Sequence, residues 1–233
     1  MTSITYAERR SQIEHYFDRT AAETWSRLTS DAPVSRIRAT VRAGRDTMRD
    51  TLLGRLPADL SGCRLLDAGC GTGALAVEAA RRGADVVAVD LSATLIDLAR
   101  SRSAGVSGRG RITFLSGDML APALGDFDCV VAMDSLIHYT SEDIVAAISG
   151  LASRARDAVL FTFAPRTPAL AAMHGIGRLF PRSNRAPAIQ PIAEQTMIRL
   201  LVEEPRLAQW RVAPLRRVKN GFYISQALEL RRP

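Results

Sequence analysis

Residues 67–73, Asp67-Ala-Gly-Cys-Gly-Thr-Gly73, decide the fold class of this 233-residue chain. The apolar run that begins at Cys63 predicts a buried strand before them, and the pattern of residues 74–83 predicts a helix that ends at Gly83. Glycines at alternate positions let a backbone turn sharply and approach a ligand closely. Backbone N–H groups at the start of a helix favour a negatively charged group. We therefore expect a cofactor cradle between a strand and a helix.

The chain after the cradle alternates between strand-like and helix-like patterns. Apolar runs predict four further strands, at residues 85–90, 111–118, 127–136 and 157–165. The helices at 92–105 and 141–155 are predicted to begin at the caps Ser92 and Ser141. Buried strands separated by helices indicate parallel βαβ units. The fold class is therefore α/β, with a Rossmann-like, doubly wound sheet, and two more strand-like runs follow near the end of the chain.

Two helical regions flank or interrupt this core. Residues 1–57 are predicted to form an N-terminal helical arm, in which Ile13, Tyr16 and Phe17 share one face. Residues 58–233 then form the main domain. Within it, residues 165–204 are predicted to form a helical insertion after the fifth strand, with helices at 168–180 and 191–203. This insertion could act as a lid, and His174 in it is a weaker candidate for lining the substrate.

The composition is basic, with 31 Lys and Arg against 24 Asp and Glu. A net charge of +7 suits an acidic ligand, an anionic membrane surface or nucleic acid, although a genome that favours Arg codons gives the same composition. Few aromatic residues and the absence of a base-modification motif argue against nucleic acid. The three cysteines form no CxxC pair, so we expect no metal site.

No signal peptide and no run of 18 apolar residues is visible in the sequence. We therefore expect a cytoplasmic protein whose association with a membrane, if any, is peripheral. The basic charge would favour the anionic inner surface of a membrane.

Acidic residues at strand ends are the candidates for binding a nucleoside cofactor. Asp67 precedes the first glycine and could hold an ammonium group. Asp90 ends the second strand, where a carboxylate can accept hydrogen bonds from ribose hydroxyls. Asp118 could accept from an adenine amino group, with Met119 beside the ring. The cofactor-binding residues are predicted to be Asp67, Gly69, Cys70, Gly71, Gly73, Asp90, Leu91, Asp118, Met119 and Asp134. The glycine pattern alone also fits a dinucleotide site.

The order of these motifs resembles that of class I S-adenosylmethionine (SAM)-dependent methyltransferases. The resemblance rests on the acid before the first glycine, on Asp90, on Gly117-Asp118 and on the strand that begins at Phe127-Asp128. It covers residues 63 to about 163. It implies SAM as the cofactor, S-adenosylhomocysteine as its product, and a seven-stranded sheet whose last strand is antiparallel.

The flanking segments resemble a particular family, the magnesium-protoporphyrin IX O-methyltransferases of bacteriochlorophyll and chlorophyll synthesis. Residues 16–49, which begin Tyr16-Phe-Asp-Arg-Thr, and the segment Asp134-Ser-Leu-Ile-His-Tyr139 carry this resemblance. It implies methyl transfer from SAM to a propionate carboxylate of magnesium protoporphyrin IX, giving the monomethyl ester. It also implies catalytic importance for Tyr16 and His138, a magnesium chelatase as the enzyme that hands over the substrate, and the photosynthetic membrane as a surface for peripheral association.

Three alternatives remain open on the sequence. The acceptor could be the hydroxyl of a quinone or a small phenol, in which case His138 would act as a general base. The charge of +7 would suit a nucleic-acid methyltransferase. A SAM-binding protein without catalysis is the third, which the intact cradle with Asp90 and Asp118 argues against.

Overall fold

The computed structural model describes residues 6–18, 36–105, 108–167 and 188–233. Within these ranges, seven strands form one sheet in the order β3-β2-β1-β4-β5-β7-β6. The strands are β1 (Arg64–Ala68), β2 (Asp85–Asp90), β3 (Arg111–Ser116), β4 (Phe127–Ala132), β5 (Ala155–Phe163), β6 (Arg211–Asn220) and β7 (Tyr223–Arg231). The helices are α1 (Tyr6–Tyr16), α2 (Arg36–Leu53), α3 (Ala74–Arg81), α4 (Ala93–Ser103), α5 (Ser141–Ala152) and α6 (Glu194–Glu203).

The direction of the strands confirms the predicted topology. Strands β1 to β5 pair in parallel, and β7 pairs antiparallel with both β5 and β6. The strand order reverses between β1 and β4, which both lie at the centre of the sheet. Ligands of such sheets bind beyond the carboxyl ends of the strands at the point of reversal. The topology therefore places the expected site above β1 and β4.

The sheet has a hydrophobic core on each face, because its central strands are apolar on both sides. On one face, Leu66 and Val130 pack with α5 and α6. On the other face, Leu65 and Val131 pack with α2, α3 and α4. Alternate residues of β1 and β4 thus contribute to opposite cores, and both helix layers hold the sheet rigid beneath the site.

Helix starts follow the capping rules, with one correction. Ser92 caps α4, and its hydroxyl accepts a hydrogen bond from the Leu95 N–H at 3.2 Å. The predicted cap Ser141 is wrong, because Ser141 is the first residue of α5 and Thr140 is its cap. The Thr140 backbone is extended, and its hydroxyl reaches the Asp143 N–H at 3.2 Å. Threonine and serine are both good caps, and here the earlier of the two adjacent residues takes the cap position.

The two helical additions pack against the core where the structure describes them. In α2, Met48 and Leu52 are fully buried against the sheet. The helix predicted at 191–203 is α6, which begins three residues later, at Glu194; its Met197 and Leu201 are fully buried. The predicted helix at 168–180, with His174, lies outside the described residues. The domain boundaries and the role of a lid therefore stay predictions.

Every helix in the described ranges is too short or too polar to cross a lipid bilayer.

Candidate active site

A cavity opens at the carboxyl ends of β1, β2, β3 and β4, where the topology predicts a ligand. It encloses about 840 Å³ of empty space, part of which is open to solvent. Seven of the ten predicted cofactor-binding residues line this cavity: Gly69, Gly71, Asp90, Leu91, Asp118, Met119 and Asp134.

The glycine loop forms the floor of the cavity as predicted. Gly69 has a φ of 82°, and a Cβ at that position would collide with the side chain of Ser135. Gly71 has a φ of 54°, and a Cβ there would meet no atom within 4 Å. The first glycine therefore lets the loop after β1 touch the loop after β4, and the second presents open backbone to a ligand.

Asp90 ties the glycine loop to the end of β2. One carboxylate oxygen accepts from the Gly71 N–H at 2.8 Å, and the other accepts from the Ser92 N–H at 2.9 Å. Burial raises the pKa of Asp90, and these two backbone hydrogen bonds oppose that rise. Each carboxylate oxygen has a second lone pair, so Asp90 can also accept hydrogen bonds from the two hydroxyls of a ribose.

Asp67 lies behind the glycine loop and does not line the cavity. It is almost completely buried, and its Oδ2 has no hydrogen-bond partner among the described residues. Burial, and then the charge of Asp90, raise the pKa of Asp67 to about 7. A buried carboxylate oxygen without a donor is costly, and a cationic ligand nearby would relieve that cost. Cys70 and Gly73 also lie outside the lining of the cavity.

Asp118 stands at the opposite wall, after β3. Its Oδ1 accepts from the Leu120 N–H at 2.9 Å, which fixes the loop. Its Oδ2 accepts from Arg10 of α1 at 2.6 Å. Met119 is buried beside it and lines the cavity. Asp118 and Met119 therefore both line the cavity, and Asp118 also holds helix α1 through Arg10.

Helix α1 and the residues that follow it cover one side of the cavity, with Ile13 and Phe17 in its lining. Polar contacts hold this covering segment to the loops around the cavity. Arg9 donates to the His138 carbonyl oxygen at 3.0 Å, Arg10 donates to Asp118, and Asp18 accepts from the Ser92 hydroxyl at 2.5 Å. These contacts reach the loops after β4, β3 and β2 in turn. Helix α1 and residues 17–18 thus cover one side of the cavity and are hydrogen-bonded to the loops that form its walls.

The two predicted catalytic residues occupy different environments. His138 is buried and lines the cavity. Tyr16 does not line the cavity; it is half-buried, and its ring lies edge-on to Phe17 with centroids 5.2 Å apart. Burial raises the pKa of the Tyr16 hydroxyl. Phe17 also lies near His138, with ring centroids 6.3 Å apart. The structure therefore places His138 in the wall of the cavity and Tyr16 outside that wall, against Phe17.

Asp134 is the most heavily bonded carboxylate of the cavity wall. Its φ of 57° makes it the one non-glycine residue with positive φ in the described parts of the chain. Its carboxylate accepts from Arg45 at 2.7 Å, from Tyr223 at 3.0 Å, and from the hydroxyls of Ser225 and Thr162 at 3.1 Å. Strained backbone of this kind persists only where its surroundings fix it, and it is concentrated at functional sites.

Arg45 lines the cavity, although the sequence alone does not indicate it as a site residue. Its position on the polar face of α2 predicts a solvated charge, but the structure places it in the cavity wall beside Asp134. Gly44, next to Arg45, is the sequence signal for this position. It lets α2 approach Tyr223 so closely that a Cβ at residue 44 would collide with the ring. Ser135 is a second such residue; it lines the cavity, and its hydroxyl is buried without a hydrogen-bond partner among the described residues.

The donors and acceptors of this cavity fit SAM. Asp90 and Asp118 supply acceptors for a nucleoside, and the open backbone at Gly71 admits a close ligand. Arg45 in the wall, and Asp67 buried behind the glycine loop, supply opposite charges for the carboxylate and ammonium of a zwitterionic amino acid. Together with the seven-stranded sheet, whose last strand is antiparallel, they define a class I SAM-dependent methyltransferase.

Comparison with known proteins narrows this class. The family description "Methyltransferase domain" matches residues 65–157, and "Magnesium-protoporphyrin IX methyltransferase C-terminus" matches residues 132–232. The chain is 53% identical to the magnesium-protoporphyrin O-methyltransferase of Rhodobacter capsulatus over 227 residues, which cover 97% of this chain and 98% of that protein. It is 32% identical to the corresponding protein of Synechocystis over 220 residues, which cover 93% of this chain and 94% of that protein.

A solved structure supports the same family assignment. The crystal structure of magnesium protoporphyrin IX methyltransferase from Synechocystis PCC 6803 with bound SAH superposes with a TM-score of 0.82 and 30% identity, covering 96% of this chain and 100% of that one. This chain belongs to the magnesium-protoporphyrin O-methyltransferase family.

Proposed function

We propose that this chain transfers the methyl group of SAM to one propionate carboxylate of magnesium protoporphyrin IX, giving the monomethyl ester and S-adenosylhomocysteine. The observation that carries the proposal is the position of a buried His138 in the same cavity as the Asp90–Gly71 cradle. Family membership over almost the whole chain then identifies the acceptor.

Four charged residues would hold the cofactor. Asp90 would accept from the ribose hydroxyls, and Asp118 from the adenine amino group. Arg45 would bind the cofactor carboxylate while Asp134 holds its guanidinium in place. Asp67 would stabilise the ammonium group from behind the loop, because its buried oxygen has no other donor among the described residues.

The reaction requires little acid–base chemistry from the chain. When bound, SAM supplies an electrophilic methyl group on a sulfonium. A propionate has a pKa near that of Glu, about 4.3, so it arrives ionised and already nucleophilic at neutral pH. The chain must remove water from this carboxylate and hold one oxygen in line with the methyl carbon, at about 3–3.5 Å. Charge is neutralised during the reaction, so the apolar covering by Ile13 and Phe17 favours it.

His138 is the residue that we propose to hold the reacting propionate. A hydrogen bond from its ring would orient the carboxylate without removing a proton. His138→Phe is then expected to lower kcat by about 10- to 100-fold, the value of a hydrogen bond to a charged group, and to leave the Kd for SAM unchanged. His138→Gln keeps a donor and should recover part of the loss.

His15 provides the matched control, because it is an exposed histidine on α1. His15→Gln should retain the wild-type kcat. The proposed role of His138 is wrong if His138→Phe retains it too. Efficient methylation of a phenol, with a rate that rises as His138 loses its proton, would instead support the alternative acceptor.

Tyr16 is proposed to act on His138 through Phe17, since its ring contacts Phe17 and Phe17 lies near His138. Tyr16→Phe keeps that ring contact and removes only the hydroxyl. If packing is its role, this variant keeps the wild-type kcat, whereas Tyr16→Ala lowers it. A large loss in Tyr16→Phe would instead indicate that the hydroxyl itself takes part.

We also propose peripheral association with an anionic membrane surface and receipt of the substrate from a magnesium chelatase. The support for the first is the net charge of +7, which anionic lipids attract. Co-sedimentation with vesicles that contain anionic lipid, but not with neutral vesicles, would test it. Formation of a complex with the purified chelatase subunits, measured by analytical ultracentrifugation, would test the second.

A further inference from the structure

A small apolar surface adjoins His138 at the carboxyl edge of the sheet, separate from the two large cores. We call it the shelf, and it consists of Ile137, Ala164, Ile189 and Ile224. Ala164 and Ile224 are buried, whereas Ile137 and Ile189 are partly exposed. Ile137 directly precedes His138 in the sequence, and His138 lines the cofactor cavity.

Backbone hydrogen bonds join the segment that contains Ile189 to the chain that follows β4 and β5. The Gln190 N–H donates to the Ile137 carbonyl oxygen at 2.9 Å, and the Ile192 N–H donates to the Ala164 carbonyl oxygen at 2.9 Å. Residues 188–192 therefore lie across the ends of β4 and β5. This segment brings Ile189 beside Ile137 and makes one continuous apolar surface with Ile224 of β7.

Lys219 stands at the rim of the shelf. It is the cross-strand partner of Ile224 in the antiparallel pair of β6 and β7. Partners in such a pair point to the same face of the sheet, with Cβ atoms about 4.5–5.5 Å apart. Lys219 is exposed, is the single lysine of the sequence, and has no carboxylate partner among the residues that the structure describes. The half-exposed Phe222 follows in the turn between the strands.

We propose that the shelf carries one face of the porphyrin and that Lys219 binds the propionate that is not methylated. This inference rests on the proposed function. A flat macrocycle needs an apolar surface next to the reacting carboxylate, and the shelf includes Ile137, the residue that precedes His138. The reacting propionate must lose its water, but the second one stays charged and is best placed at a wetted rim beside a cation. An ammonium on a flexible stem suits that role.

The test compares two porphyrins that differ in their carboxylates. Magnesium protoporphyrin IX has two propionates, and its dimethyl ester has none. Lys219→Met removes the charge but keeps the length of the side chain. We expect it to weaken binding of the dicarboxylate by about fivefold, the upper range for an exposed ion pair, and to leave binding of the dimethyl ester unchanged. Quenching of porphyrin fluorescence by the full chain gives both Kd values.

Two further variants separate charge from packing. Arg211→Met removes an exposed cation at the other end of β6 and should change neither Kd. Ile189→Ser removes apolar contact area, and we expect it to weaken both porphyrins by about tenfold, because the shelf does not depend on the carboxylates. Val202→Ser, at an exposed apolar residue of α6, is its matched control and should change neither Kd.

The two proposals fail in different ways. If the wild-type chain binds SAM but methylates no magnesium protoporphyrin, the proposed function is wrong and the shelf proposal is overturned with it. If the wild type methylates magnesium protoporphyrin while Lys219→Met binds both porphyrins as the wild type does, only the role of Lys219 is overturned. Unchanged binding in Ile189→Ser would overturn the shelf itself.

Discussion

Asp67→Asn should stabilise the cofactor-free chain and weaken its binding of SAM. The carboxyl of Asp67 is buried, and burial together with the charge of Asp90 raises its pKa from 3.8 to about 7. Each tenfold change in proton affinity corresponds to about 1.4 kcal/mol. The ionised carboxylate therefore costs the folded state about 4 kcal/mol above pH 7. Asparagine has nearly the same shape and carries no charge, so the variant should recover most of that free energy of unfolding.

The raised pKa of Asp67 determines how the free energy of unfolding changes with pH. Below pH 3.8 the Asp67 carboxyl is neutral in both the folded and the unfolded chain. Between pH 3.8 and about 7 the unfolded chain releases this proton while the folded chain keeps it, so stability falls as pH rises. Above pH 7 the loss is complete. Asp67→Asn carries no ionisable group at this position, so its free energy of unfolding should lack this pH-dependent loss.

Urea denaturation of the cofactor-free chain at pH 5 and pH 8 measures the difference. The gain from Asp67→Asn should be larger at pH 8. Asp85→Asn is the control, because a hydrogen bond from Arg111 lowers the pKa of Asp85 and its replacement should not stabilise the chain. If Asp67→Asn is no more stable than the wild type at pH 8, burial does not destabilise the ionised carboxylate of Asp67 as stated. Calorimetry should in parallel show about tenfold weaker SAM binding, because a charged partner of the ammonium is lost.

Three further outcomes follow from the site and the helix caps. Asp90→Ala should weaken SAM binding by about tenfold or more, since it removes the ribose acceptor and the acceptor of the Gly71 N–H; unchanged affinity by calorimetry would remove Asp90 from the site. Amide hydrogens of α1 should exchange more slowly with SAM bound, because α1 covers the cavity; equal exchange in both states would contradict this gating. Thr140→Ala should lower the free energy of unfolding by about 1 kcal/mol in thermal denaturation, while Ser141→Ala should change it little.

The architecture could be predicted from the sequence because its signals are local. Strands such as residues 85–90 are continuous apolar runs between glycines and caps, and a parallel sheet leaves them few other positions. The cradle is equally predictable, since alternate glycines after a strand permit the left-handed backbone found at Gly69 and Gly71. Asp90 and Asp118 follow from the same rule, because each directly ends or follows a parallel strand.

The remaining site residues depend on contacts between distant parts of the chain. Arg45 on α2 meets Asp134 after β4 only once α2 has packed on β7, so its helical position alone indicates a solvent-exposed charge. Tyr16 shares a helix face with Phe17, but a difference of one position decides which of the two lines the cavity. Lys219 and Ile224 come together through the register of a hairpin, which the sequence does not specify beyond the turn at Gly221.

The most direct test of the account is a methyl-transfer assay with labelled SAM that compares magnesium protoporphyrin IX with metal-free protoporphyrin IX at equal concentration. The account predicts that label enters the magnesium porphyrin as a base-labile ester, at a rate well above that for the metal-free form, and that His138→Phe lowers this rate. Absence of label in either porphyrin, while calorimetry still detects tight binding of SAM, would contradict the proposed acceptor and leave only the methyltransferase fold.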